Sequence, residues 1–180
     1  MPREARARSA EAVAGDEVLQ FMRSLWAVAH ALRKTSKRMS RDLGITGPQR
    51  LVVRVLGLSP GMSAGEMADV LHLHPSTLTG VLRRLVSSGL VRRQADPADA
   101  RRSVLALTAR GQRLNVPTAG TVEASVRGAL QRISADNRGV AAEVLSLVAA
   151  RLSAAGAAPA RAVPEPGRPG GASSRRRRRR

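Results

Sequence analysis

Residues 90–108 read LVRRQADPADARRSVLALT, and they follow directly on residues 63–89, which read SAGEMADVLHLHPSTLTGVLRRLVSSG. Two short apolar segments around a charged turn predict a β-hairpin in the first stretch. The second stretch has the periodicity of two short helices joined by a turn. A helix sized for the major groove, followed by a charged hairpin that can reach the adjacent minor groove, is typical of a winged helix-turn-helix. The pattern indicates duplex DNA as the partner.

Two helices are predicted before this unit. Apolar residues recur with helical spacing from Asp16 to Leu43, and Gly44 is expected to end that helix. Thr46 and Gln49, with a proline between them, have the spacing of a capping box. A second helix should therefore run from there to about Leu58.

The helix-turn-helix carries its own capping signals. Ser63 and Glu66 form a second capping box, and His74, followed by a proline, should open the helix that enters the groove, with Gly89 as its end. His72 stands in the turn where proteins of this kind usually place glycine. Because histidine is among the residues that tolerate a positive φ, the turn remains compatible with the pattern.

Beyond the hairpin, the sequence predicts a long helical region. Thr108 should cap a helix that continues to about Ile133 and bends at Pro117 and Gly120. Ser134 should cap a last helix. The predicted fold is therefore mostly α with a small β-hairpin wing.

Composition supports a partner with negative charge. The chain has 31 Lys and Arg against 13 Asp and Glu, a net charge of +18, and residues 1–155 alone keep 23 basic and 12 acidic side chains, a net charge of +11. The absence of cysteine excludes a disulfide framework and a cysteine zinc site. No apolar run is long enough for a membrane span or a signal segment, so we expect a cytoplasmic protein without a membrane partner.

The predicted DNA-contacting residues lie on the second helix of the pair and on the wing. With the apolar residues of that helix facing inward, its opposite face presents polar and basic side chains; at the wing tip, Asp99 should hold the loop or a guanidinium while an arginine enters the minor groove. The alternatives are a solvated polar helix face and an ordinary Asp-Pro turn. The predicted contacts are Ser76, Thr77, Thr79, Gly80, Arg83, Arg84, Asp99, Arg101 and Arg102.

These motifs resemble the MarR (multiple antibiotic resistance regulator) family from about Phe21 to Leu152. Three matches carry the resemblance: residues 43–49, residues 76–91, and the wing from Asp96 to Gly111 with its Asp, Pro, Asp and Arg and its closing Leu-Thr-x-x-Gly. Ala100 is a departure, because the family often has a second arginine there. Arg102 could compensate for it.

The resemblance implies a homodimer held by the first helix and the last two, with one winged lobe on each half of a palindromic operator. It also implies a small lipophilic or phenolic effector in a crevice between the dimer helices and the winged lobe. The long apolar stripes, which have no other obvious partner in the chain, support the dimer independently. Trp26 and His30 are candidate effector contacts; the alternative for Trp26, as for Phe21, is the dimer core.

The sequence gives little support for metal binding or for catalysis. His30, His72 and His74 could be metal ligands, but turn and cap roles account for the last two, and we expect neither a metal site nor a cofactor. No phosphate loop or nucleophile motif indicates an enzyme.

We therefore predict a ligand-responsive, sequence-specific transcriptional repressor. A flexible N-terminus (1–15), a MarR-like domain (16–155, with the winged lobe at about 46–111) and a disordered Arg-rich tail (156–180) make up the chain. A DNA-architectural or nucleoid-associated protein of low sequence specificity, and a dimeric interaction protein without a DNA role, are the alternatives.

Overall fold

A computed structural model describes residues 15–96, 99 and 101–155. Nearly all of the expected flexible N-terminus and the whole Arg-rich tail lie outside the described residues, as do Pro97, Ala98 and Ala100 of the wing tip. The helices are α1 (Glu17–Leu43), α2 (Gly47–Leu58), α3 (Ala64–Val70), α4 (Pro75–Ser87), α5 (Ala109–Leu114), α6 (Val122–Leu130) and α7 (Ala135–Ala155), and the strands are β1 (Val91–Ala95) and β2 (Ser103–Leu107). The expected mostly α fold with a β-hairpin is confirmed.

The predicted helix starts are confirmed at the level of single hydrogen bonds. In both capping boxes, at Thr46–Gln49 and at Ser63–Glu66, the cap side chain accepts from the third backbone N–H and the third side chain accepts from the cap N–H. His74 caps α4 through its ring, which accepts from the backbone N–H of Ser76. Each cap satisfies donors that a helix leaves unpaired at its first turn.

The turn between α3 and α4 has the backbone that the sequence predicted. His72 is the only non-glycine with a positive φ, at 49°, among the described residues. Gly44 ends α1 with a φ of 67°, a left-handed position that glycine adopts without steric cost. These two residues fix the direction in which the chain enters α2 and α4.

The core of the winged lobe is built from α2, α3, α4 and the hairpin. Leu78, Leu82 and Leu85 of α4 are buried together with Val52, Val53 and Leu56 of α2. From the other elements, Met67 of α3 and the strand residues Val91 and Leu105 complete the same cluster. The outer face of α4 is thereby fixed relative to α2 and to the wing.

The hairpin is antiparallel, and a third segment joins it. Val91 pairs with Leu107 at its base and Ala95 with Ser103 near its tip. The free edge of β2 pairs with the residues before α3, because the Leu105 N–H donates to the carbonyl of Met62 at 2.8 Å and Ser63 bridges to Val104. The wing is therefore attached to the N-terminus of α3 as well as to the end of α4.

The prediction of one bent helix from Thr108 to about Ile133 is wrong. Thr108 does cap a helix, but α5 ends at Leu114, and α6 begins anew at Val122. Pro117 lacks a backbone donor, Gly120 has a φ of 74°, and the buried side chain of Thr121 accepts from the Ala124 N–H as a fresh cap. Because α5 ends at Leu114, Asn115 and Val116 lie outside a helix, and residues 114–116 contact α2.

The chain forms two compact units, one ending at Gln131 and the other beginning at Arg132. α7 belongs to the second unit, and its start is confirmed at Ser134, whose hydroxyl accepts from the Asn137 N–H. Of the helices in the described residues, none is long and apolar enough to cross a membrane.

Candidate nucleic-acid interface

The polar face of α4 is open to solvent, as a groove-reading helix requires. Its predicted contacts recur at helical spacing, opposite the buried leucines, so they share one side of the helix. Gly80 is half-buried, while the other predicted contacts on this helix are exposed: Ser76, Thr77, Thr79, Arg83 and Arg84. The structure thus brings the six helix residues of the predicted site together, and their contact with DNA stays a prediction.

Two hydroxyls on this face already have partners. Thr79 donates to the Pro75 carbonyl one turn back at 2.8 Å, and the Ser76 oxygen lies 2.8 Å from Nδ1 of His74. Thr79 therefore presents its methyl group and oxygen lone pairs outward. Such a side chain can pack on a thymine methyl or accept from a base amino group.

Arg83 has a neighbour that the sequence analysis missed. A hollow of about 380 Å³ lies between α4 and β1 and is lined by Thr79, Arg83, Val86, Ser87 and Arg93. Arg93 is exposed on β1, so two guanidinium groups border one open hollow. Sequence reasoning could have found it, because alternate residues of a strand share one face, which places Arg93 on the same side of β1 as the buried Val91, the side that packs against α4.

At the wing tip, Asp99 holds the loop. Its carboxylate accepts from the Arg101 backbone N–H at 2.9 Å, and its carbonyl accepts from the Arg102 N–H at 2.9 Å. Of the two roles considered for this aspartate, the structure shows the loop-holding one. The side chain of Arg101 is exposed, which leaves it available to a minor groove.

Arg102 differs from Arg101 because it is already paired. Its guanidinium lies 2.9 Å from the carboxylate of Glu66 and 3.8 Å from that of Asp96. The N–H and hydroxyl of Ser63, followed by the Arg102 guanidinium, hold the pKa of Glu66 below its usual value. Arg102 thus ties the wing to the first turn of α3, and it would have to leave these carboxylates to contact a phosphate.

Positive charge is concentrated on this part of the molecule. From residue 72 to residue 113 the chain has eight arginines and only two acidic residues, Asp96 and Asp99. Both carboxylates serve the wing itself, since Asp96 faces Arg102 and Asp99 accepts from the loop backbone. The surface that carries the predicted contacts is therefore suited to a polyanion.

The candidate effector residues lie outside the crevice between α1 and α2. A crevice of about 420 Å³ there is lined by residues of α1 and by the start of α2, and Trp26 and His30 are not among its lining residues. Trp26 is 64% exposed, and His30, one turn further along α1, is exposed too. The crevice residues are Leu32, Arg33, Ser36, Lys37, Ser40, Thr46 and Pro48.

In the part of the chain that the structure describes, no three His, Asp or Glu side chains are close enough to hold an ion together. His74 is engaged as the cap of α4, and His72 forms the turn.

Comparison with known proteins agrees with the geometry. The model of the MarR family matches residues 45–103, which span α2 to the start of β2. Over 123 residues the chain is 35% identical to the HTH-type transcriptional repressor Rv2887 of Mycobacterium tuberculosis, covering 68% of this chain and 84% of that relative.

Solved structures share the fold. The PcaV transcriptional regulator from Streptomyces coelicolor, solved with its natural ligand, is 28% identical with a TM-score of 0.57, covering 76% of this chain and 94% of that one. MepR of S. aureus, solved in a complex with DNA, has a TM-score of 0.59 at 19% identity, covering 73% of this chain and 97% of that one. By its sequence relatives and its winged-helix fold, the chain belongs to the MarR family of transcriptional regulators.

Proposed function

We propose that this chain is a ligand-responsive repressor that binds palindromic operators as a homodimer. The observation that carries the proposal is the joint presentation, on one lobe, of the polar face of α4 and the exposed Arg101 of the wing. A helix in the major groove supplies base contacts, and an arginine at the wing tip reads the width of the minor groove. The named repressor that is 35% identical supports the direction of regulation.

Exposed apolar side chains support the homodimer. On α1, Trp26 is 64% exposed, and Phe21, Met22, Val28 and Leu32 are each at least 40% exposed. Such a stripe is costly in water and is typical of a surface that a partner covers. A second copy is the simplest partner, because a two-fold dimer presents the same stripe on both subunits. α6 and α7 carry exposed apolar residues as well, including Val126, Leu130 and Leu147.

The crevice between α1 and α2 supports the response to a ligand. Leu32 and Pro48 give it apolar walls, and Arg33 and Lys37 place two cations at its border. A small aromatic or lipophilic molecule with an acidic group would satisfy both features. PcaV, a family member solved with its natural ligand, supports effector binding as a property to test here. Trp26 and His30 remain candidate contacts on the neighbouring turns of α1.

Selection of bound fragments from a random duplex library tests the proposal. We expect enrichment of a palindrome whose half-sites lie about one helical turn apart, roughly 10 base pairs. Sedimentation at micromolar concentration should give a dimer. If the library yields no common sequence, the architectural alternative, which the net charge of +18 favours, replaces the repressor. A stable folded monomer would overturn the homodimer.

Localisation follows from the same proposal. A regulator of this kind works where the DNA is, and we propose the cytoplasm of a bacterium. Cell fractionation that places the chain with the nucleoid would support this, and recovery in the envelope would contradict it.

A further inference from the structure

The most deeply buried charged residue of the described chain lies outside the predicted DNA surface. Arg50, on α2, is 2% exposed. Its Nε and Nη2 atoms donate to the two carboxylate oxygens of Glu123 on α6, at 2.9 and 2.6 Å. Nη1 donates to the carbonyl of Leu114 at 3.0 Å, and Nη2 donates also to the carbonyl of Val116 at 2.6 Å. Four of the five guanidinium N–H donors therefore connect α2 to the end of α5, to the segment that follows it and to α6.

The Arg50–Glu123 pair contributes more to the orientation of α6 on α2 than to the free energy of unfolding. Removing two charges from water is expensive, and a buried ion pair is often no more stabilising than apolar side chains of the same volume. What the pair adds is direction, because a planar guanidinium meets a carboxylate through two parallel bonds in one orientation. The Arg50–Glu123 pair thus fixes the angle at which α6 meets α2.

A second arginine reinforces the connection. Arg54, one turn further along α2, donates to the carbonyl and side-chain oxygens of Asn115 at 2.6 and 2.7 Å, and its Nε lies 3.6 Å from Glu123. The Asn115 side chain rests directly on Gly57, where any Cβ would overlap it. Residues 114–116 are therefore clamped to α2 along two turns.

The start of α2 is held from the other side by α1. The hydroxyl of Ser36 accepts from the Gly47 N–H at 2.8 Å. A Cβ at Gly47 would lie 3.3 Å from the Ser36 Cβ and 3.5 Å from Val122 of α6. Three helices, α1, α2 and α6, thus meet at one end of α2.

The other side of α2 carries the recognition helix. Val52, Val53 and Leu56 share one buried cluster with the leucines of α4. Close packing of this kind transmits a change in the direction of α2 to α4, because a packed core does not deform smoothly. The orientation of α4 relative to α1 and α6 therefore depends on how α2 is attached to them.

We propose that Arg50 and Glu123 are positioning residues that set the distance between the two recognition helices of the dimer. The inference rests on the proposed function, since it requires a homodimer that holds its helices through α1 and α6. Neither residue needs to touch DNA. Their pairing fixes the spacing of half-sites that the protein accepts, and the contacts of α4 fix the bases within each half-site.

A spacing series tests the proposal. The operator selected by the wild type is rebuilt with one or two base pairs added or removed at its centre, and affinities are measured for the wild type, Glu123→Gln and Glu123→Asp. Glutamine removes the charge, while aspartate keeps a charge opposite Arg50 but is one methylene too short to hold both bonds. Asp42→Asn, at an exposed ion pair with Arg41 on α1, is the matched control for the loss of a carboxylate.

We expect the wild type and Asp42→Asn to lose on the order of tenfold in affinity per base pair of displacement, because each step misplaces at least one base contact. Both Glu123 variants should lose much less, with the base preferences of each half-site unchanged. A uniform drop at all spacings would show that the pair is only structural, and an unchanged profile would also overturn the proposal.

A folding check and the spacing profile of the wild type separate failure of this inference from failure of the proposed function. Circular dichroism confirms that each variant is folded before its affinity is read, and if Glu123→Gln unfolds, Glu123→Asp decides. If the wild type itself has no spacing optimum, the palindromic homodimer fails and this inference fails with it. If the wild type has an optimum that the variants retain, the positioning role alone fails.

Discussion

The guanidinium of Arg102 lies 2.9 Å from the carboxylate of Glu66, so the wing is tied to the first turn of α3 across 36 residues of sequence. Both side chains are about half exposed, and a pair of this kind contributes little to global stability. Its effect is local, because Glu66 is also the residue that completes the capping box of α3. Arg102 and Arg101 are neighbours in the chain with different surroundings.

Replacement of these two arginines should therefore have unequal effects on DNA binding. We expect Arg101→Ala to weaken binding, most of all to operators with AT-rich flanks, whose narrow minor groove attracts an inserted arginine. Arg102→Ala should cost less, because that side chain is already engaged by Glu66. Fluorescence anisotropy across a salt series measures both. If Arg102→Ala lowers the slope of log affinity against log salt concentration by about 1, as expected for the loss of one phosphate contact, Arg102 leaves Glu66 to bind the DNA backbone.

The pair also predicts a pH dependence of stability. The pKa of Glu66 is held below its usual 4.5 by the Ser63 N–H and hydroxyl and by Arg102. Because the folded-state pKa is the lower one, the carboxylate stabilises the fold fully above pH 4.5, and this contribution is lost as the pH falls through the folded-state value.

Glu66→Gln should accordingly be less stable than the wild type at pH 6, and the gap should narrow as the solution is acidified. Urea unfolding between pH 6 and pH 3 measures it. Asp69→Asn, which removes an exposed carboxylate of the same helix outside the capping box, is the control. A gap that stays constant with pH would show that the effect of Glu66 does not depend on its charge.

Arg83 is the residue we expect to carry base discrimination. Arg83→Ala should reduce discrimination at one base position by about 1–3 kcal/mol, as expected for a bidentate contact with guanine. The measurement compares the operator with single-base variants of it and with random duplex. Arg93→Ala, on the opposite side of the same hollow, should weaken binding to all sequences alike. Equal losses on operator and random DNA for Arg83→Ala would identify it as a phosphate contact.

Local signals made most of the winged lobe predictable. The capping boxes at Thr46 and Ser63 join atoms only three residues apart, so their residue types are enough to place a helix start. The turn at His72 was predictable for the same reason. The α4 residues proposed to face DNA followed from a single helical period, and their contacts await experiment.

Relationships over long sequence distances were not predictable. Arg50 and Glu123 are 73 residues apart, and an arginine beside apolar residues gives no sign that it is buried. The break between α5 and α6 was not predictable, because a proline and a glycine at positions 117 and 120 are compatible both with a bend in one helix and with the end of one helix and the start of another. Thr121, which caps the second helix, is followed three residues later by alanine, so no capping box marks it in the sequence.

Replacement of Gly111 by alanine should destabilise the fold, although it adds only one methyl group. A Cβ there would overlap the carbonyl oxygen of Leu90, where the start of α5 approaches the base of the wing. Gly111→Ala should destabilise the chain by about 1–3 kcal/mol in urea unfolding, as expected for a forced backbone shift. Gly65→Ala, on the exposed first turn of α3 with only the Ser63 hydroxyl nearby at 3.9 Å, should be neutral or stabilising. Equal stability of the two variants would contradict the close approach.

The arginines within residues 156–180, outside the described residues, should bind DNA without sequence preference. Residues 156–180 contain eight arginines, six of them consecutive, and one glutamate, so their deletion lowers the net charge from +18 to +11. A run of identical cations meets phosphates, which are the same at every site, and each phosphate neutralised adds about 0.9 to the slope of log affinity against log salt.

Deletion of residues 156–180 should therefore flatten the salt dependence and weaken binding to random DNA more than it reduces the preference for the operator, while sedimentation still shows a dimer. Replacing the six consecutive arginines with six glutamines is the control that keeps the length and removes the charge. If the salt slopes on both DNAs are unchanged, the segment has no contact with DNA. If the operator preference is lost, specificity depends on the segment rather than on α4 and the wing.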